Sequence, residues 1–182
     1  MLSAAERQKA GLLKKAAQES RKRLGKNDQS RFGRFLDAYY ANVPPQDIGE
    51  SDPVALFQLS HGHWKLGAAR AKGKPLIRVF NPDPRKDGWK SERTIIEIIN
   101  DDMPFLVDSI AATIAALGLS IDRLVHPVIP VERDSKGKLE AIPDGDPDDA
   151  FWESMIYIEA ARVDAKTRRQ LQETLKTTLG DV

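Results

Sequence analysis

TIIEIINDDMPFLVDSIAATIAALGL, residues 94–119, is the stretch whose reading decides the fold. From Thr94 to Ile99 every residue except Glu97 is β-branched, a density of stiff side chains that suits a strand buried on at least one face. The polar corner Asn100-Asp101-Asp102 follows, and then Pro104. Proline is tolerated in the first helical turn and an aspartate can accept from the free N–H groups there, so a helix over 103–117 is predicted, capped by Asp102. Leu106, Ile110, Ile114 and Leu117 recur at helical spacing, and Gly118 stands where a left-handed cap ends the helix. The unit is a strand, a tight acidic turn and a helix folded back on the sheet.

Downstream, 119–131 reads as a long strand interrupted by Pro127 and Pro130, which cannot donate to a ladder and so imply an edge, a bulge or a bend. A turn over 134–137 lets 138–142 return as the second arm of a hairpin. In 154–162 Met155 and Tyr157 fall on one face and Ile156 and Ile158 on the other, as in a central strand covered on both sides. Asp164 caps a last helix, 164–179, with Leu171, Leu175 and Leu179 along one side. Upstream, 76–81 alternates like a strand, and the charged loop after it carries Trp89 folded down as an anchor. From residue 94 the order is β-α-β-β-α, that of the split βαβ or ferredoxin-like arrangement, with strand 76–81 free to fill the place of the missing last strand. The fold class expected is α+β: an antiparallel sheet with two helices on one face in 73–182, preceded by a helical segment, 1–72.

Residues 3–24 favour helix but offer only Leu12, Leu13, Ala16, Ala17 and Leu24 as an apolar stripe. Residues 1–26 carry eight Lys or Arg against Glu6 and Glu19, a net of +6 in a chain whose total is +1, so the rest is correspondingly acidic. A solvated or partly disordered basic arm is expected there, with contact to an acidic partner surface as the alternative. Nucleic acid fits poorly, because no aromatic residue interleaves these charges to stack on bases. A helix over 30–42 places Phe32, Phe35, Leu36, Tyr39 and Tyr40 on a core stripe before Val43-Pro44-Pro45 stops it. A third helix is expected from near Ser51 to Arg70, with Asp52-Pro53 as cap and first turn.

The wording IIEIINDDMPFLVDSI (95–110), HPVIPVERD (126–134) and FWESMIYIEA (151–160) resembles the N-terminal region of the very large bacterial NAD-dependent glutamate dehydrogenases, which is held to contain ACT-like regulatory modules far ahead of the catalytic part. The likeness is best over 77–158 and covers no catalytic segment. It implies a non-catalytic regulatory or assembly module in a bacterial, cytoplasmic enzyme that oxidatively deaminates L-glutamate to 2-oxoglutarate. NAD would bind elsewhere in the parent chain. The partners it implies are the remainder of that chain, identical subunits and a free amino acid, with no nucleic acid and no membrane. The family's text continues past Val182, so a fragment is expected. In ACT modules the turn after the first strand commonly reads Asp-x-Pro-Gly; here it is Asp102-Met103-Pro104-Phe105, and the Phe105 ring is expected to fill the space a ligand would use.

Chemistry is sparse. No G-x-G-x-x-G, G-x-x-x-x-G-K-[ST] or G-x-S-x-G occurs, so no dinucleotide cradle, P-loop or nucleophile elbow is written here. There is no cysteine, which excludes thiolate chemistry and fits a reducing compartment. No apolar run is long enough to span a membrane. His61 and His63, two apart on a helix, diverge by roughly 200° and read as solvent-facing or capping groups; the third histidine is His126. The acidic loop from Asp144 to Asp149 fails as a calcium loop, with Asp149 where glycine is required and Met155 where a bidentate Glu belongs. The remaining candidate site is the corner Asn100, Asp101, Asp102 and Met103 with Asp108. It serves either as helix capping or, in an amino-acid sensor, as an amine-binding spot whose backbone N–H groups take the carboxylate. Three functions stay open: regulatory or assembly module, amino-acid-sensing domain, and basic adaptor.

Overall fold

The computed structural model describes residues 1–145 and 147–180; Asp146 of the expected acidic loop, and Val182, lie outside the described residues. In chain order the elements are α1 (Ala4–Arg23), α2 (Lys26–Ala41), α3 (Pro45–Ile48), α4 (Pro53–Leu66), β1 (Leu76–Phe80), β2 (Arg93–Asp101), α5 (Leu106–Ala116), β3 (Ile121–Val125), β4 (Val128–Arg133), β5 (Leu139–Ala141), β6 (Phe151–Ala161) and α6 (Ala165–Gly180). Their contacts form two compact units, Arg70–His126 with Glu153–Val182, and Met1–Ala69 with Pro127–Trp152. The division is not a single cut near residue 72.

In the first unit β2 is flanked by β1 and β6, and β6 also pairs with β3, every pairing antiparallel. The register sets Ile96 opposite Ile158 and Ile98 opposite Ile156, with Val79 and Ile77 of β1 beside them. Because side chains alternate along a strand, all of these point to one face. That face packs with Leu106, Ile110 and Ile114 of α5 and Leu171, Leu175 and Leu179 of α6 in a single apolar cluster. On the other face the same register sets Glu97 opposite Tyr157 and Arg78 opposite Glu97. Tyr157 donates to Glu159 at 3.0 Å, and burial pushes its phenol well above the ordinary range. Trp89 meets Phe80 edge to face at 6.5 Å, which anchors the loop between β1 and β2.

The helix after β2 begins later than its sequence suggests. α5 starts at Leu106, and Asp102 does not cap it; Phe105 holds the N-cap position with no side-chain hydrogen bond. Gly118 ends the helix as expected, at φ 75°, with the Leu119 amide donating to the Ile114 carbonyl at 3.2 Å. The strand expected over 119–131 is two strands, β3 and β4, parted at His126-Pro127, where a residue without an N–H breaks the ladder.

In the second unit α1 opens on a capping box: Ser3 Oγ accepts from the Glu6 amide at 3.1 Å and the Glu6 carboxylate accepts from the Ser3 amide at 2.6 Å. The expected loose arm is an ordered helix that packs with α2, α3 and α4. Ala16 and Ser20 are small enough to bury at the contact, and Lys9 Nζ reaches the Val43 carbonyl at 2.6 Å, so a thin apolar stripe suffices. The α2 stripe is core: Phe32, Phe35, Leu36, Tyr39 and Tyr40 are buried. α4 is capped by Asp52, which accepts from the Ala55 amide at 2.8 Å, and it stops at Leu66, short of Arg70. The β4–β5 hairpin belongs to this unit, tied to the end of α4 by the Leu139 amide on the Ala68 carbonyl (2.9 Å) and Arg133 on the Gly67 carbonyl (2.7 Å).

His61 and His63 diverge as their spacing requires, but neither faces solvent freely. His63 is fully buried, with Nδ1 2.5 Å from the Tyr39 hydroxyl. His61 stacks on Phe57 at 5.0 Å and on Trp64 at 5.8 Å. Burial there, aided by Lys65 and opposed by Asp28, holds the His61 imidazole down at about 4. A histidine whose folded pKa is depressed stabilises the fold in its neutral form; the contribution is complete above about 6.5 and is lost as pH falls toward about 4. Thermal unfolding followed from pH 7 to pH 4 should therefore fall less steeply for His61→Phe than for wild type, and parallel curves would contradict the stacked, neutral ring.

Candidate functional site

The acidic corner sits where β2 and β6 end together, Asn100 opposite Ser154 and Asp101 opposite Glu153. Two carboxylates directly opposed across a ladder repel. Arg70 lies between them: one guanidinium nitrogen is 2.6 Å from Asp101 Oδ1, the other 2.8 Å from Glu153 Oε1, and Nε donates to the Lys74 carbonyl at 2.7 Å. The Arg70 and Glu153 side chains are 1% and 0% exposed and that of Asp101 28%, so the Arg70–Glu153 pair is sealed from water. Such a pair adds little net stability over an apolar replacement, but removing one partner strands the other charge.

Asp102 works beside this pair. Its Oδ1 accepts from Ser154 Oγ at 2.7 Å, and Ser154 Oγ lies 2.9 Å from His126 Nε2. A serine hydroxyl has one proton, already given to Asp102, so His126 donates through Nε2–H. Burial lowers the His126 pKa and Asp102 opposes the shift, which keeps the ring neutral near pH 7. The order is acid, serine, imidazole, and Ser154 is fully buried. The hydroxyl has no imidazole base, its proton is held toward Asp102, and its burial leaves no room for a substrate, so the chain of bonds is a lock rather than a nucleophile.

Arg70, His126 and Glu153 are also the residues at which the chain enters or leaves this unit. Of the residues singled out by sequence, Asn100, Asp101 and Asp102 come together here. Asn100 Nδ2 lies 4.0 Å from Met103 Sδ, and Met103 packs on the apolar cluster. Asp108 stands exposed in the first turn of α5 and joins none of these bonds, though a carboxylate there favours the helix N-terminus. Arg70, His126, Glu153 and Ser154 were not anticipated. The sequence signal is Glu153-Ser154, a polar pair directly before the apolar run Met155–Ile158 of β6.

The family model described as glutamate dehydrogenase, ACT1 domain, matches residues 35–175. The chain belongs to this ACT1 family. It is similar to the NAD-specific glutamate dehydrogenase of Pseudomonas aeruginosa, 38% identical over 162 residues, and to that of Halomonas elongata, 30% identical over 161. Each match covers 87% of this chain and 10% of the relative, so the chain spans about a tenth of the length of the curated relatives it matches.

Within this ACT1 domain the turn Asp102-Met103-Pro104-Phe105 departs from the expectation that the ring fills a ligand's space. Phe105 is 77% exposed, and its backbone is left-handed at φ 64°. The fourth position thus keeps the conformation that glycine adopts freely, with a phenylalanine forced into it. The strand-to-helix turns of the ACT1 domain do not fit a dinucleotide. Neither β2–α5 nor β6–α6 carries a glycine, and both present aspartate, Asp101 and Asp102 in one and Asp164 in the other, where pyrophosphate would bring like charge. Among the described residues no three His, Cys, Asp or Glu side chains gather around a possible ion, and no helix is long and apolar enough to cross a membrane.

Arg70→Met should destabilise the ACT1 domain by about 3–5 kcal/mol in urea unfolding, and Arg70→Met with Glu153→Leu should recover much of that loss. Equal losses in the single and double variants would show that the charges are not coupled. At the turn, Phe105→Gly should hold stability within about 1 kcal/mol of wild type, whereas Phe105→Val, β-branched at positive φ, should cost about 1–2 kcal/mol. Equal effects of the two changes would rule out backbone strain at Phe105.

Proposed function

We propose that this chain is a non-catalytic, N-terminal regulatory and assembly module of an NAD-dependent glutamate dehydrogenase. The observation that carries the reading is the ACT1 match over 35–175 in a chain about a tenth the length of its relatives. The parent reaction would be the cytoplasmic conversion of L-glutamate, NAD and water to 2-oxoglutarate, ammonium and NADH, with NAD held elsewhere in the parent chain. The partners would be the rest of that chain and identical subunits. The strand order β1-β2-β6-β3, with α5 and α6 packed in one cluster, supports reading the α+β unit as ferredoxin-like, with β1 in the place of the last strand.

One observation favours a second reading, an amino-acid sensor. With Phe105 turned outward, the left-handed turn leaves the exposed carboxylates of Asp102 and Asp108 beside the first turn of α5. A ligand amine would meet the carboxylates and its carboxylate the free N–H groups.

Two measurements decide between these readings. The isolated chain, given NAD and L-glutamate, should form no NADH, and turnover by it would end the module reading. A thermal-shift screen of free amino acids at about millimolar concentration tests the sensor, since binding to the folded state must raise the unfolding temperature. A stabilised chain whose response disappears in Asp102→Asn supports it, and a flat screen removes it.

A further inference from the structure

α1 turns its small and apolar residues inward and a band of cations outward. At 100° per residue, Arg7, Lys14, Lys15, Arg21 and Lys22 fall within an arc of roughly 120° opposite the buried Ala16 and Ser20. All five are exposed. No acidic residue lies in the arc. The two glutamates of the helix sit on its flanks and are engaged, Glu6 in the capping box and Glu19 with Lys22 at 2.8 Å and Arg23 at 3.6 Å. Arg7, Lys14 and Arg21 recur every seventh residue, as do Lys15 and Lys22, so they form two rows running almost along the helix axis for about 22 Å.

An isolated cation stays solvated at no cost, but two aligned rows in which, among the described residues, only Lys22 has a countercharge, Glu19, repel one another. They gain most from a partner that brings carboxylates at the same spacing. A second α-helix does this, because its own positions seven apart also lie in a row. A membrane would use a different face. The larger apolar residues of α1, Leu12 and Leu13, lie outside the cationic arc and are partly buried, and the exposed arc holds only Ala4, Gly11 and Gln18 besides its cations. A nucleic acid would need groups that stack or read base edges, and the arc has none.

We propose that the outer face of α1 is a docking surface for an acidic helix, carrying glutamate or aspartate at seven-residue spacing, in the remainder of the dehydrogenase chain. The source rests on the module reading above, since the chain is about a tenth of its relatives and the partner must lie in the rest. Residues 27–182 are themselves net negative, because 1–26 carry +6 of a total of +1. The cationic rows are thus a strongly positive strip on a chain whose remainder carries net negative charge.

The test uses the 182-residue chain and two fluorescent helical peptides of equal composition, one with glutamates in two heptad rows and one with the same glutamates scattered around the helix. The heptad peptide should bind about tenfold more tightly than the scattered one, with affinity falling steeply between about 0.05 and 0.5 M salt. Lys14→Glu with Lys15→Glu and Arg21→Glu should abolish that preference, while circular dichroism reports unchanged helix content. Lys14→Gln with Lys15→Gln, which leaves no new repulsion, should weaken binding in the same direction. Equal binding of the two peptides overturns the proposal, as does tighter binding to phosphatidylserine vesicles or duplex DNA than to the heptad peptide. In the full-length dehydrogenase the charge-reversed triple variant should shift the assembly state, and an unchanged assembly places the partner outside the parent chain, against the proposal. Failure here leaves the module reading intact, because NADH formation by the isolated chain judges that separately.

Discussion

The antiparallel ladder between β2 and β6 is the constraint from which the first unit follows. Nine residue pairs, from Arg93 with Ala161 to Asp101 with Glu153, fix one register. A slip by one residue would send every isoleucine of β2 to the opposite face. In the observed register Ile96, Ile98, Ile156 and Ile158 share the face that α5 and α6 cover, and Glu97, Tyr157 and Glu159 share the other. The same register creates a difficulty at its end, where two carboxylates stand opposed. Arg70 answers it, and in doing so the guanidinium binds the segment before β1 to the ends of both central strands.

The second unit rests on a different principle. Its core is aromatic, built on Phe32, Phe35, Tyr39 and Tyr40 of α2, with the neutral ring of His61 and the buried ring of His63 absorbed into the packing from α4. Two small residues, Ala16 and Ser20, let α1 lie close to its neighbours without a broad apolar face. The outer surface of α1 is therefore left free to be highly charged, and the cations concentrate there.

The acidic corner shows how a site can look chemical in sequence and be largely structural in three dimensions. Asp101 and Asp102 each have a committed partner, one a guanidinium and the other a serine hydroxyl. The backbone of the turn is left-handed at Phe105 despite the cost to a side chain bearing a Cβ.

Much of this was legible in the chain itself. The β-branched run of β2, the apolar run of β6, the 3.6-residue periodicity of α5 and α6 and the glycine after α5 all depend on neighbours close in sequence, and each lies where its pattern put it. The cap of α5, the break at Pro127 and the start of α2 were misplaced, because a residue such as Asp102 chooses between a local amide and a hydroxyl 52 residues away only once the sheet has formed. Arg70, His126, Glu153 and Ser154 carry no local signature that joins them. Sequence alone determined which segments are strands and helices and where the charge accumulates; only the tertiary structure decided that the hairpin sides with the N-terminal helices and that the acidic corner is locked, since both follow from long-range pairing that no local pattern encodes.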